Sequence, residues 1–137
     1  MKLFAGDPAC AFCGIVSGRV PASRVYEDEL VLSFMDIHPA APGDLLVIPK
    51  MHAAGLEDID EALMAHLFRV VHLLARVLRR SGLPCEGVNV FLADGEAADQ
   101  TVFHLHVHVF PAPRTTGSAW RSGGRSGPVP PSITTPH

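Results

Sequence analysis

The segment Thr101-Val-Phe-His-Leu-His-Val-His-Val-Phe110 sets three imidazoles at alternate positions, with Leu105, Val107 and Val109 interleaved. Histidine changes charge near neutral pH, so such a row can supply chemistry that few other side chains offer. One ring can attack or hold phosphorus, a second can donate a proton, and a third can orient a neighbour or bind metal. In an extended chain successive side chains point to opposite faces. His104, His106 and His108 would then share one face, about 6–7 Å apart, with the aliphatic residues turned to a core. A solvated polar face and a three-His metal site are the competing readings. The first gains little, because protonated rings in a row repel one another. Strict alternation inside so apolar a strand favours a built catalytic site over both.

A second cluster with chemical potential is Cys10-Ala-Phe-Cys13. Without an even cysteine count, and in a reducing compartment, that spacing points to metal or redox chemistry before a structural disulfide. Cys85 has no such neighbour and reads as a small apolar residue.

These residues need a scaffold, and the chain has the means to build one. Of 137 residues, 47% are hydrophobic and 18% charged, enough apolar material for one core. Ile59, Leu63, Leu67, Val70, Leu74 and Leu78 recur at helical spacing. Asp58 with Glu61 forms a capping box at the start of that helix, and Gly82 follows its end. His66 and His72 fall off the apolar stripe and read as surface. A short helix is expected from Cys10 to Ser17, stopped by Gly18. Strands are expected over 24–27, 30–37, 44–48, 87–92 and 101–110, the last stopped by Pro111. Short connections between the later strands favour antiparallel pairing, so the class is α+β. A domain spans 1–114, and the Thr/Gly/Ser/Pro-rich stretch 115–137 reads as a flexible tail.

The net charge of −3 argues against a protein that coats a nucleic-acid polymer. No apolar run reaches the ~18–20 residues of a membrane span, and the N-terminus lacks a secretory core. A cytoplasmic protein without a membrane partner is expected.

The row His104-Leu-His-Val-His-Val-Phe110 resembles the His-x-His-x-His signature of the histidine-triad (HIT) family. Further stretches resemble bacterial members in order and spacing: residues 10–21, Val25-Tyr-Glu-Asp28, Phe34-Met-Asp-Ile37, Leu46-Val-Ile-Pro-Lys50, and Gly95-Glu-Ala-Ala with Gln100-Thr101. The likeness spans roughly 10–111. It implies a HIT-like antiparallel sheet of about five strands with one long and one short helix. It also implies a hydrolase or transferase acting at the α-phosphorus of a nucleoside phosphoramidate or dinucleoside polyphosphate. His106 would form a nucleotidyl-histidine intermediate. His108 would contact the phosphate and ease the leaving group's charge, with His104 completing the triad. Gln100 and Thr101 would bond phosphate oxygens. Phe12, Ile15, Val20, Phe34 and Ile37 would wall an AMP-like purine nucleotide, and Asp36 would hold its ribose. Cys10, Cys13, His52 and His104 match a structural zinc set found in some members, with no metal required for catalysis. A homodimer joined edge to edge is implied as well.

Three positions depart from the family pattern. Asp44 stands where His is usual, Ala93 where Asn or Gln is common, and Asp99 where Gly is usual. Asp44 could orient or charge a triad imidazole. Ala93 removes a polar contact, and Asp99 places negative charge near the phosphate. These departures keep two alternatives open: a nucleotide-binding regulatory protein with little turnover, and a metal-dependent hydrolase using the histidine row.

Overall fold

A computed structural model describes residues 6–37 and 43–112. Along the chain run α1 (Ala11–Ser17), β1 (Arg24–Glu27), β2 (Val31–Met35), β3 (Leu45–Pro49), α2 (Glu61–Arg79), β4 (Gly87–Phe91) and β5 (Val107–Ala112), with 3-10 turns at Leu56–Asp58 and Glu96–Ala98. The strands form one antiparallel sheet in the order β1-β2-β3-β5-β4. This is the expected α+β class, five antiparallel strands with one long and one short helix. The stretch expected to be a tail lies outside the described residues, as does His38.

β2 and β3 read as near-continuous apolar runs because both faces of the sheet are covered there. Val31, Leu45, Val47, Leu105, Val107 and Val109 pack on the Leu67, Val70, Val71, Leu74 and Leu78 stripe of α2. Leu32, Phe34, Leu46 and Ile48 face the other way and meet Phe12 and Ile15 of α1. Leu67 has no exposed surface, and truncating such a leucine to alanine costs on the order of 2–5 kcal/mol. α1 ends at Gly18, whose φ of 86° is left-handed. Gly14 lets the chain fold back: a Cβ there would lie 2.7 Å from Cγ2 of Val20.

The long helix starts later than its capping signal suggests. Asp60, not Asp58, is the N-cap and accepts from the Leu63 amide at 2.8 Å. Asp58 instead accepts from the Gly55 amide at 3.3 Å within the preceding 3-10 turn. Ile59 and Met64 flank this cap and pack on the same core, a staple that fixes where the helix begins.

The expected strand over 101–110 is also corrected. β5 begins at Val107, and residues 101–106 approach it as irregular backbone. The β3–β5 ladder stops at Val47 opposite Val107. Continued in register, Leu105 would face Pro49, which has no N–H to give. The Leu105 amide bonds the Ala53 carbonyl instead, at 2.7 Å. Pro111, expected to stop the strand, lies within it. It pairs with Val88 of β4 beyond the last β3 pair, where β5 has a neighbour on one side only.

His66, read as surface, is half-buried and donates from Nε2 to Oδ2 of Asp28 at 2.7 Å. The same carboxylate accepts from the Tyr26 hydroxyl and from the Leu30 and Val31 amides, each at 2.8 Å. It thus ties the β1–β2 turn to α2. Burial pushes the Asp28 pKa up, but the Leu30 amide, Tyr26, His66 and the Val31 amide outweigh it and hold the group at about 2 against an ordinary 3.8. A depressed carboxylate stabilises the fold above its unfolded pKa and loses that contribution as pH falls through the folded one. Denaturant titrations from pH 5 downward should therefore show about 2 kcal/mol disappearing between roughly pH 4 and pH 2. Asp28→Asn should lack this acid-labile part, and an unchanged profile in that variant would contradict the assignment.

Candidate active site and metal cluster

The segment before β5 and the start of β5 carry the three histidines past α1, which lies on the opposite face of the sheet from α2. Leu105, Val107 and Val109 join the α2 core. The rings of His104 and His106 both stack edge-on against Phe12, at centroid distances of 5.9 and 5.2 Å. His108 follows at 5.3 Å from His106. The shared face expected of the histidines is therefore present, although only His108 lies within a strand.

His106 Nδ1 lies 2.7 Å from the His104 carbonyl. A carbonyl only accepts, so Nδ1 carries the proton and Nε2 is left with its lone pair. Among the described residues Nε2 has no protein partner, and it is not among the polar atoms sealed from solvent. Burial lowers the pKa of this ring. The His104 carbonyl bond opposes that, the His108 charge adds to it, and Asp44 opposes it. The result is a neutral imidazole with one bare, reachable nitrogen, the form that attacks an electrophile.

His104 has a different fate from its neighbour. It is fully buried. Its Nε2–H donates to the Pro49 carbonyl at 2.8 Å, so Nδ1 is bare and faces Cys10 Sγ at 3.4 Å and Cys13 Sγ at 3.5 Å. His52 Nδ1 lies 3.2 Å from Cys13 Sγ. The four donor atoms lie within 4.8 Å of one another. A tetrahedral zinc with bonds of about 2.0–2.3 Å sets sulfur and nitrogen ligands about 3.5 Å apart, so this donor set fits the ion. The carbonyl partner behind His104 also matches how metal-bound imidazoles are held. Burial lowers the His104 pKa to about 4, against the Pro49 bond, so the ring is neutral and ready to ligate. Burial likewise raises the Cys13 thiol, with Cys10 adding to the effect and an Asp7 backbone bond opposing it. With Nε2 bonded to the Pro49 carbonyl and Nδ1 turned to the two thiols, His104 directs Nδ1 toward this cluster and both ring nitrogens away from the pocket of His106 and His108.

His108 is held by its surroundings on three sides. Phe91 stacks on it at 4.2 Å with planes 5° apart, a cross-strand contact given by the register that pairs the two residues. Its Nδ1 lies 3.4 Å from Asp44 Oδ1 and 4.0 Å from Asp36 Oδ2. Phe91 was invisible as a site residue in the sequence, since it looks like any apolar strand residue; only the register singles it out.

The apolar wall is partly assembled. Phe12 and Phe34 meet edge-on at 5.4 Å, Ile15 is buried, and Val20 packs beside them. Ile37 is 80% exposed and takes no part in that packing. Gln100 departs from its expected phosphate contact. Its Oε1 accepts from the Gly95 amide at 2.7 Å, and its Nε2 donates to the Ala54 and Val102 carbonyls at 2.7 and 2.9 Å. Both N–H bonds are spent, so it holds the 95–102 loop against the segment after β3. Thr101 is exposed beside it. Asp99 has φ 66°, which explains why glycine suits this position and why an Asp, tolerant of the left-handed region, can replace it.

The HIT domain profile matches residues 17–115. An uncharacterized HIT-like protein of Borreliella burgdorferi is 37% identical over 117 residues, covering 85% of this chain and 84% of its own. The adenosine 5'-monophosphoramidase HNT1 of Candida albicans is 36% identical over 110 residues, 78% of this chain and 72% of its own. A crystal structure of a zinc-bound histidine triad family protein from Mycobacterium smegmatis superposes with a TM-score of 0.77 at 46% identity, covering 83% of this chain and 81% of that one. The chain belongs to the HIT domain family.

Proposed function

We propose that the protein is a nucleotide hydrolase or transferase that cleaves the bond between an α-phosphorus and its leaving group, with His106 as nucleophile. The observation that carries this reading is the tautomer of His106, fixed by the His104 carbonyl with Nε2 left bare. Nε2 attacks the α-phosphorus as the bond to the amine or polyphosphate leaving group breaks, giving a nucleotidyl-histidine that water resolves. His108 lies beside the reacting phosphate and meets its developing charge. Phe12, Ile15, Val20 and Phe34 form an apolar wall for the nucleoside, Ile37 closes on it, and Asp36 takes the ribose hydroxyls. Thr101 bonds the phosphate. An AMP phosphoramidate is the first substrate to try, given the named activity of the Candida relative. Mass spectrometry of turnover mixtures quenched in alkaline denaturant, which spares the acid-labile P–N bond, should show a population of chains carrying one added AMP unit on His106. Turnover without that adduct, under conditions where resolution is slowed, would argue for direct hydrolysis by water.

Cys10, Cys13, His52 and His104 hold zinc in this reading, and the ion's part is to tie α1 to the sheet. None of the three cysteines is in a disulfide, so Cys10 and Cys13 are available as ligands. No helix among the described residues is long and apolar enough to cross a membrane. β4 is an edge strand and needs cover, so we place the homodimer contact there. Sedimentation at micromolar concentration should give twice the chain mass, and a monomer would rule this contact out.

A further inference from the structure

The outer face of α2 carries positive charge that nothing else in the chain neutralises. At 3.6 residues per turn, Arg69, Leu73, Arg76, Val77 and Arg80 fall on one arc of roughly 100°, on the flank of the helix that overlooks β1. Arg69, Val70 and Leu73 of this flank, together with Tyr26 of β1, line a hollow of about 300 Å³ between helix and strand. We infer that this groove is a docking surface for an acidic segment of a partner protein, which seats an apolar side chain in the hollow and sets carboxylates on Arg69, Arg76 and Arg80. The inference does not depend on the proposed reaction.

Three observations point to an occupant that is acidic and partly apolar. First, the guanidiniums have no anion of their own. Among the described residues none of the three forms an ion pair. Glu61, in the first turn, is the only acidic residue of α2, so no carboxylate lies three or four positions from any of them. Arg80 donates to the Arg76 carbonyl at 3.1 Å, which brings two like charges onto one turn, an arrangement that weakens a helix by itself. A chain of net charge −3 gathers these cations in one place, and such a field attracts a partner of opposite sign. Second, apolar surface runs between the charges: Leu73 and Val77 are 44% and 48% exposed. Third, the surface is concave where Leu73 meets Tyr26. Exposed ion pairs each add little, so an apolar anchor seated in the hollow carries most of the affinity.

Other occupants use these features less well. Residues 113–137 contain Arg114, Arg121 and Arg125 and no Asp or Glu, so they add to the charge and do not neutralise it. A second copy docked face to face would set the same arginines against one another. β1 and β4 are opposite edges of the sheet, so the groove stays open in a dimer joined through β4. A nucleic-acid backbone would meet the arginines but leave Leu73, Val77 and the hollow unused. An anionic bilayer is too flat to enter the hollow, and three arginines fall short of the cluster of about four to eight cations that marks such binding. A protein segment uses charge, apolar surface and concavity together, as an amphipathic helix does when it lies in a groove.

Fluorescence polarisation on the full chain tests this, with a short fluorescein-labelled peptide that repeats Glu-Glu-Leu as the probe. The peptide should bind saturably with a Kd of about 100 μM or tighter at about 0.05 M salt, and more weakly as salt rises. Arg69→Glu and Arg76→Glu should each weaken it by about tenfold or more, and Leu73→Ser by about fivefold. Circular dichroism should not change, because all three side chains are exposed. Arg19→Glu makes the same charge change just after α1, on the opposite face of the sheet, and should leave the affinity within about twofold. A Glu-Glu-Gly peptide, equal in charge but without anchors, should bind about tenfold more weakly. AMP should not displace the bound probe. The inference is overturned by no saturable binding, by equal affinity for the Gly peptide, by a loss in Arg19→Glu as large as that in Arg69→Glu, or by displacement with AMP. Binding to phosphatidylserine vesicles with none to the peptide also overturns it and makes the surface a membrane contact.

Discussion

His106→Ala is expected to lower turnover of an AMP phosphoramidate by on the order of 10⁴-fold or more, while AMP still binds and zinc stays loaded. The size follows from what is removed. On the proposed mechanism the variant loses the covalent route, so the hard displacement is no longer split into two easier steps. The wall built by Phe12 and Phe34 remains, and so does His108. Binding should change far less than kcat. The same geometry fixes the pH profile. Burial holds the His106 ring below its ordinary pKa, and only the neutral ring attacks. Activity in the wild type should thus persist below the ~6.5 of a free imidazole and fail only as the pH drops through the lowered value. If wild type and His106→Ala were equally inert yet both bound AMP, the protein would be a nucleotide-binding regulator and not an enzyme.

The family departures bear on which substrate the proposed reaction would take. Asp99 is exposed, in a left-handed turn that its backbone tolerates, so its negative charge is screened by solvent and weighs little on the phosphate. Asp44 differs: it is buried against His108, where no solvent screens it. Between these two departures, the buried one has more leverage on the reaction.

Much of the scaffold could be read from the sequence because its signals are local. Period-2 and period-3.6 patterns gave β1, β3, β4 and α2 within a residue or two, and Gly18 marked the end of α1 by the turn it alone takes easily. The errors arose where a long-range partner overrode the local pattern. The alternation of residues 101–106 matches a strand, yet Pro49 on β3 cannot donate to it. Asp58, with Glu61 three residues on, carries the better local cap signal, and the packing of Ile59 and Met64 overrides it in favour of Asp60. His66 lies off the apolar stripe, and nothing local announces Asp28 across the gap. The site divides in the same way. The histidines, Cys10, Cys13 and His52 were legible as types at telling intervals. That His104 turns both nitrogens toward Pro49 and the two thiols, that Gln100 is spent on backbone, and that Phe91 braces His108 are all products of register and burial.

Removing zinc should be the most damaging change to the fold. α1 has seven residues, too few to persist as an isolated helix. On the proposed zinc site Cys10 and Cys13 would anchor it, His52 would bring in the loop after β3, and His104 the approach to β5, so one ion would join three segments distant in sequence. Without it, a buried thiol and a fully buried imidazole face one another with their strongest partner gone. Metal stripping, or Cys13→Ser, should cost about 3–5 kcal/mol, a fall in the thermal midpoint of roughly 10 °C or more. The pH dependence has a definite sign. Zinc binds thiolate, and burial raises the Cys13 pKa, so loading expels protons and weakens as pH falls. Calorimetry with and without a chelator, at two pH values, reads both effects. Turnover should follow the folded fraction and not the metal itself. A stripped chain that melts where the loaded one does would remove the ion from any structural role.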